Sequence, residues 1–170
     1  MWRQSRREEV EMNYALEIDR AIDDERLASA LTLAEQWVVV APEDADAWSK
    51  LAHVHEMNED FANASGAVAV ALKISPEYPP YLFKQGYVEY RLGNFAAAAN
   101  VFGLCVERSE TIHDGYYLDA ARIAQAKCLV LDGRASLAVD VIASAATGSA
   151  TWLDKRLSKE DVVKSIHRVR

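Results

Sequence analysis

Residues that break helices are scarce in this sequence. Its 170 residues include only 7 glycines and 4 prolines, while alanine is abundant. Glycine costs backbone entropy in a helix and proline removes a donor, whereas alanine loses no side-chain entropy there. With 51% apolar and 26% charged residues, the composition is that of an ordinary soluble protein. The chain therefore favours helix, and its length suits one domain.

Cysteine is equally rare, and no CxxC motif occurs. The two cysteines, Cys105 and Cys128, both lie in apolar segments with a helical pattern. We interpret them as small buried apolar side chains in a protein from a reducing compartment. A disulfide or a redox pair is the alternative that their number allows.

Clusters of positive charge and long apolar runs are also missing. The net charge is −7, and the only basic group is formed by Arg3, Arg6 and Arg7. Nucleic acids need clustered Lys and Arg that displace counterions from phosphates, so we expect neither nucleic acid nor an anionic membrane surface as partner. No segment reaches the roughly 18 apolar residues of a membrane span, and the basic N-terminus lacks the apolar run of a secretory signal. We expect a cytoplasmic protein without membrane insertion.

Motifs that carry catalysis or bind metals are absent as well. His53 and His55 form an HxH pair, but residues two apart on a helix point about 200° apart and so do not share one metal ion. Neither a glycine-rich phosphate loop nor a G-x-S-x-G motif occurs. The acidic residues fall mostly in turns and on presumed solvent faces. The sequence therefore predicts no enzyme activity, no catalytic residue, no metal and no cofactor.

What the sequence does contain is a repeat of 34 residues. Three pairs of landmarks share this spacing: Pro42 with Pro76, Phe61 with Phe95, and Ala64 with Ala98. Each unit has two amphipathic stretches with apolar residues at i, i+3, i+4 and i+7, which is typical of helices. One helix pair cannot cover both of its apolar faces, so successive units must stack.

The repeat resembles a known helical family in its large and small positions. In the second unit, four residues stand at the W-x2-L-G-x2-Y positions and four at the A-x3-F-x2-A…P positions: Trp48, Leu51, Ala52, His55, Ala64, Val68, Ala71 and Pro76. The third unit supplies Leu82, Gly86, Gly93, Phe95, Ala98, Phe102 and Cys105. The chain is thus similar to tetratricopeptide repeat proteins. This resemblance implies an all-α fold, a right-handed superhelical stack of antiparallel helix pairs with about four units.

The repeat predicts one domain over residues 1–170. Its units span about residues 11–44, 45–78, 79–112 and 115–148, of which the first and last are degenerate. Gly93 maps to Gly133 with an offset of 40, so six residues are inserted before the fourth unit. We expect them in a loop between Arg108 and Gly115, because Ser109, Thr111, Asp114 and Gly115 suit a loop.

The C-terminal segment 151–170 has helix signals of its own. Thr151 with Asp154, and Ser158 with Asp161, have the spacing of an N-cap and its partner three residues later. The apolar stripe comprises Leu153, Leu157, Val162, Val163, Ile166 and Val169. We predict a C-terminal helix that caps the fourth unit. The alternative is a helix that pairs with a second subunit.

The resemblance implies that the first helices of the units line a concave groove that binds a peptide or a helix of a partner. The third unit places Phe83, Tyr87 and Tyr90 there, the second unit Ser49 and His53, and the fourth unit Lys127. Aromatic residues on a concave surface supply contact area at low entropy cost. The alternative for any of the aromatics is packing between helices.

Two subfamilies of repeat proteins offer comparisons for function. The domains that clamp the C-terminal carboxylate of heat-shock chaperones share groove Lys, Asn and Arg residues, whereas the matching positions here are Ser49, His53, Tyr87, Ala120 and Ala124. The size, acidity and helical ends look like the chaperones of type III secretion translocators. We therefore predict a module that binds a partner protein, as an adaptor or a secretion chaperone. The alternative is a structural subunit that self-associates through its ends, for which Trp2 and the apolar C-terminal segment are the motivation.

Overall fold

The computed structural model describes the backbone of residues 2–113 and 115–169, and the side chains of residues 13–113 and 115–169. The elements are α1 (Trp2–Asp23), α2 (Leu27–Val40), α3 (Ala45–Met57), α4 (Phe61–Ile74), α5 (Pro79–Arg91), α6 (Phe95–Ile112), α7 (Gly115–Leu131), α8 (Ala135–Ala143), β1 (Ala150–Trp152), β2 (Arg156–Ser158) and α9 (Lys159–Arg168). The chain forms two compact units, Met1–Pro76 and Glu77–Arg170. In the described part, no helix is both long and apolar enough to cross a bilayer.

The helices begin where the 34-residue repeat predicts. The second helices of successive pairs begin 34 residues apart, at Leu27, Phe61 and Phe95, and α5 begins 34 residues after α3. Side chains cap two of these helices, since Asp44 accepts from the Asp46 N–H and Asp60 from the Asn63 N–H. The all-α repeat architecture is therefore confirmed.

The turn inside each helix pair holds one residue in the left-handed region. These residues are Glu25, Glu59, Gly93 and Gly133, with φ between 58° and 79°. Glycine adopts this conformation freely, whereas a residue with a Cβ is disfavoured by about 1–2 kcal/mol. Gly93 and Gly133 therefore adopt this conformation without strain, whereas Glu25 and Glu59 are strained.

The first unit consists of α1 to α4, each packed against the next. Its core combines alanines with a few larger side chains: Ile18, Ala21, Ala30, Ala34, Trp37, Val54, Ala64 and Val68. The rings of Tyr14 and Trp37 stack with their centroids 6.2 Å apart. The small alanines allow the close approach of helix backbones that the repeat pattern predicts.

The second unit contains α5 to α9 and the two strands. Phe102 is fully buried among α5, α6 and α7, and a Cβ on Gly86 would lie only 2.8 Å from its ring. Cys105 and Cys128 are buried and are not joined by a disulfide. The thiol of Cys105 donates to the carbonyl of Pro79 at 3.4 Å, and burial raises the pKa of Cys128 to about 12. Both cysteines are therefore packing residues, as predicted.

The six inserted residues do not form the predicted loop. Helix α6 has 18 residues where α4 has 14, and α7 has 17 where α5 has 13. The insertion therefore adds about one turn to each helix and shortens their connection by two residues. Ser109 is buried inside α6, and Thr111 donates its hydroxyl to the Glu107 carbonyl at 2.8 Å. Asp114 lies outside the described residues.

The predicted C-terminal helix is correct only from Lys159 onward. Residues 150–152 and 156–158 form an antiparallel hairpin in which Thr151 faces Leu157, so Thr151 caps no helix. Ser158 and Asp161 do form a reciprocal capping box at the start of α9. Helix α9 packs against α7 and α8 with Val162 and Ile166 buried, and so it covers the end of the last helix pair.

Candidate partner-binding cleft

Ser49 and His53 lie in the first unit, on α3. Both side chains are half-buried. The Nδ1 atom of His53 is 3.4 Å from a carboxylate oxygen of Glu56, whereas that of His55 is 3.8 Å from Asp60. The two histidines thus have separate acidic partners. In the part of the chain whose side chains are described, no group of three or more His, Cys, Asp or Glu is placed to hold a metal ion.

All three predicted groove aromatics have contacts within the second unit, and those of Phe83 and Tyr87 are with helices α5 to α7. The ring of Phe83 lies 5.3 Å from that of Phe102 and 5.4 Å from that of Tyr117, measured between centroids. Arg91 donates to the hydroxyl of Tyr87 at 2.7 Å and lies 5.8 Å from the centre of its ring. For Phe83, the arrangement matches the alternative of packing between helices.

Tyr90 lies at the C-terminal end of α5, where it meets the hairpin. Its hydroxyl donates to Oδ1 of Asp154 at 3.0 Å, and its ring centroid is 5.8 Å from that of Phe95. Asp154 is exposed between the two strands. The C-terminal segment of the chain therefore contacts one of the residues predicted to bind a partner.

Tyr90 and Lys127 line one open cleft of about 540 Å³ in the second unit. The cleft has an apolar part, formed by Tyr90, Phe95, Leu131 and Leu157, and a charged rim. The rim and floor are completed by Asp154, Lys155, Arg156, Asp161, Lys164, Ser165 and Arg168. Four elements of the fold thus meet here: the α5–α6 turn region, α7, the hairpin and α9.

A hydrogen-bond network joins the segment before the hairpin to α7. Oδ2 of Asp119 accepts from the Ala146 N–H at 3.2 Å and from the Ser149 hydroxyl at 2.9 Å. Arg122 donates to Oδ1 of Asp119 at 3.1 Å and to the Ser144 carbonyl at 3.0 Å. Burial opposes ionisation of Asp119, but the hydrogen bonds from Ser149, Ala146 and Arg122 keep its pKa below the usual value. This network holds residues 144–149, which lead into β1, against α7.

The Tyr90 hydroxyl is expected to lose its proton at a higher pH than that of a free tyrosine. Burial, and then the hydrogen bond to Asp154, raise the pKa of Tyr90 to about 12, compared with about 10 for a free tyrosine. Because the protonated form is favoured in the folded state, this contribution to stability is complete below pH 10. It is lost as the pH rises towards about 12. The difference in tyrosinate absorbance between the wild type and Tyr90→Phe measures this midpoint.

The control for this titration is Asp154→Asn, which removes the acceptor charge. We expect the Tyr90 midpoint to fall in this variant, while the contribution of burial remains. An unchanged Tyr90 midpoint in Asp154→Asn would show that the hydroxyl does not contact Asp154 in solution.

Most residues of the cleft were not predicted from the sequence. Lys155, Arg156, Lys164 and Arg168 belong to the segment 151–170, whose N-cap pairs and apolar stripe predict a helix but no binding site. One signal was available, because residues 151–170 carry six Lys and Arg against three Asp and Glu in a chain whose net charge is −7. The position of these charges next to Tyr90 depends on the hairpin, for which the sequence offered no clear indication.

Comparison with known proteins identifies the fold. No protein-family model and no curated protein matches the chain. Solved structures do match, among them the TPR2B-domain:pHsp70 complex of yeast Sti1, with a TM-score of 0.65, 15% identity, and coverage of 70% of this chain and 95% of that one. YrrB, a TPR protein with an unusual peptide-binding site, matches with a TM-score of 0.64 and 21% identity over 76% of this chain and 64% of its own. PilF of Pseudomonas aeruginosa matches with a TM-score of 0.69 and 16% identity over 81% of this chain and 60% of its own. The chain has the tetratricopeptide-repeat fold.

Proposed function

We propose that this chain is a protein-interaction module that binds an extended segment of a partner protein in the cleft of its second unit. The observation that carries the proposal is that Tyr90 and Lys127 line the same open cleft. They come from α5 and α7, which are the first helices of successive pairs. A side chain of the partner would fit between the aromatic wall and the charged rim.

The dimensions of the cleft suit a short segment. Its volume of about 540 Å³ lies within the roughly 300–1,000 Å³ of typical ligand sites, so it admits a few side chains. Tyrosine is enriched among residues that dominate binding energies, because its ring buries a large area at low entropy cost. The volume and the aromatic wall of the cleft therefore suit the binding of a peptide side chain.

Similar folds support a peptide as the partner. The TPR2B and TPR2AB domains of yeast Sti1 form complexes with pHsp70 and pHSP90, and YrrB has a peptide-binding site. Carboxylate clamping of the heat-shock type is not proposed, because Ser49, His53 and Tyr87 stand at positions where that subfamily has other residues. The proposed contact instead uses the hairpin and α9.

The narrower hypotheses drawn from the sequence stay predictions. A role as adaptor, or as chaperone of secretion translocators, and a cytoplasmic location rest on architecture and composition. Self-association was suggested by the apolar C-terminal segment, but Leu153, Leu157, Val162 and Ile166 are buried within the second unit. The side chain of Trp2 lies outside the described part.

Selection of a displayed random peptide library on the purified chain tests the proposal. We expect enriched peptides whose affinity falls about 10-fold or more in Tyr90→Ala, since loss of a central aromatic costs more than about 1.4 kcal/mol of binding. The measurement is the dissociation constant of one enriched peptide, with circular dichroism to confirm that helix content is retained.

Tyr116→Ala is the matched control for this test. Tyr116 is 82% exposed on α7 in the same unit but does not line the cleft. We expect its affinity for the peptide to equal that of the wild type. Equal affinities of Tyr90→Ala and wild type would place binding elsewhere, and the absence of any enriched peptide would contradict the proposal.

A further inference from the structure

The cleft concentrates positive charge on an acidic protein. Its lining contains five basic residues and two acidic ones: Lys127, Lys155, Arg156, Lys164 and Arg168, with Asp154 and Asp161. The chain as a whole carries a net charge of −7. The five cations come from α7, the hairpin and α9, so the fold assembles them from separate segments.

None of the five cations has an acidic partner within 4.0 Å among the residues whose side chains are described. Four of them are exposed, and Lys127 is half-buried beside Tyr90. Elsewhere in the second unit, Arg108 and Arg122 do form ion pairs with glutamates. The cleft thus differs from these surroundings in having cations that form no ion pair within 4.0 Å among the described side chains.

The two acids of the cleft are already engaged. Asp154 accepts the hydroxyl hydrogen of Tyr90. Oδ2 of Asp161 accepts from the backbone and the hydroxyl of Ser158, at 3.1 and 2.9 Å, in the capping box of α9. The backbone hydrogen bond from Ser158 is the main cause of the lowered pKa of Asp161, and the charges of Lys164 and Arg156 add to it. Three positive charges remain in excess.

We infer that the cleft selects a short acidic peptide segment, in which carboxylates flank an apolar or aromatic side chain. This inference rests on the proposed function and specifies its ligand. The carboxylates would pair with the five cations, and the apolar side chain would contact Tyr90, Phe95 and Leu131. Hydrogen bonds between charged groups are stronger than neutral ones and orient the bound segment.

The charge of the rest of the chain argues for a short ligand. At physiological ionic strength the Debye length is about 8 Å, so the cations of the cleft dominate within it while more distant carboxylates are screened. A polyanion such as nucleic acid would extend beyond the cleft and meet the acidic remainder of the protein. A single inorganic anion would leave the apolar wall of the cleft unused.

Fluorescence anisotropy with a defined peptide tests the inference. The probe is fluorescein-labelled Gly-Asp-Glu-Asp-Phe-Asp-Glu-Gly, titrated with the full chain. We expect binding that weakens about 3- to 10-fold in Lys164→Glu and in Lys155→Glu, as reversal of one exposed charge implies. Binding should also weaken when ionic strength rises from about 0.01 M to 0.15 M, because the Debye length falls from about 30 to 8 Å.

Lys73→Glu is the matched control, since Lys73 is exposed on α4 in the first unit and the substitution changes the net charge equally. We expect its affinity to stay within about 2-fold of the wild type. Equal losses in Lys73→Glu and Lys164→Glu would overturn the inference, because they would show a response to net charge alone.

Two further probes separate the possible failures. A peptide with Asn and Gln in place of Asp and Glu should bind at least several-fold more weakly, and equal binding would overturn the inference while leaving the proposed function intact. A peptide with Gly in place of Phe should also bind more weakly. Equal binding of this peptide, with full competition by inorganic phosphate, would show a simple anion site instead. A chain that binds none of these peptides and selects none from the library would contradict both proposals.

Discussion

Replacing Phe102 with alanine is expected to lower the free energy of unfolding by about 3–5 kcal/mol, the usual loss for a buried phenylalanine. The side chain is fully buried in the second unit. Its ring contacts Phe83 and lies over Gly86. Truncation would remove apolar contacts and leave a cavity between α5, α6 and α7 that rigid helices fill only in part.

This loss is measured by hydrogen exchange at increasing denaturant concentration, because exchange reports separately on the helices of the second unit. The matched control is Leu104→Ala on the same helix. Leu104 is 50% exposed, so its truncation should cost less than about 0.5–1 kcal/mol. Similar losses in the two variants would show that Phe102 is not the centre of this core.

Gly86 and Phe102 should be strongly coupled. A Cβ on Gly86 would sit 2.8 Å from the ring, so Gly86→Ala alone should cost about 1–3 kcal/mol through overpacking. With Phe102→Leu in the background, that cost should vanish, and the better helix propensity of alanine, worth about 1 kcal/mol, should appear. Additive effects in this double-mutant cycle would mean that the two residues do not touch.

Val162→Asp is expected to detach α9 from α7 and α8. Val162 is fully buried in that contact, and an unpaired carboxylate there costs several kcal/mol. In this variant, detachment of α9 gives up mainly the burial of Ile166, which contributes only about 1.5–3 kcal/mol, so exposure of the helix is the cheaper outcome. A free helix of 10 residues is too short to persist in water. Hydrogen exchange in α9 should therefore rise at least about 100-fold.

Val169→Asp is the control, because Val169 is 60% exposed at the end of the same helix. The helix dipole disfavours an acid at this end and favours one in the first turn. If the helix dipole alone decided the outcome, Val169→Asp would therefore destabilise α9 more than Val162→Asp. Retained protection of α9 in Val162→Asp would contradict the packing described.

The same pair of variants connects the fold to the proposed ligand. Detachment of α9 would remove Lys164 and Arg168 from the cleft. We therefore expect Val162→Asp to lose binding of the acidic peptide, and Val169→Asp to keep it. Full binding by a variant whose α9 is demonstrably detached would argue that the cations of α9 do not contribute.

The repeat pattern predicted the fold well because its signals are local and recur. Helices begin at Phe61 and Phe95 because an apolar face follows a turn residue, and the same spacing holds back to Leu27. The glycines at 93 and 133 mark the left-handed turn positions directly. Such signals act within a few residues, so sequence patterns contain them.

The structure differs from the sequence-based predictions at the insertion and in the C-terminal segment for one shared reason. Ser109 and Thr111 have the composition of a loop, yet packing against the next helix continues α6 through them. Residues 151–158 have an apolar stripe that fits a helix, yet they form a hairpin that packs on α7 and contacts Tyr90 through Asp154. In both segments, contacts with residues distant in sequence outweigh weak local preferences.

By itself, the sequence determined the helical repeat, its period, the burial of both cysteines and the aromatic character of α5. These properties follow from the spacing of apolar and small residues along the chain. Only the tertiary structure decided that Phe83 packs into the core while Tyr90 and Lys127 share a cleft with four cations of the C-terminal segment. The physical reason is that the cleft joins residues up to 78 positions apart, and their proximity arises from the packing of α9 and the hairpin on α7, which no local pattern encodes.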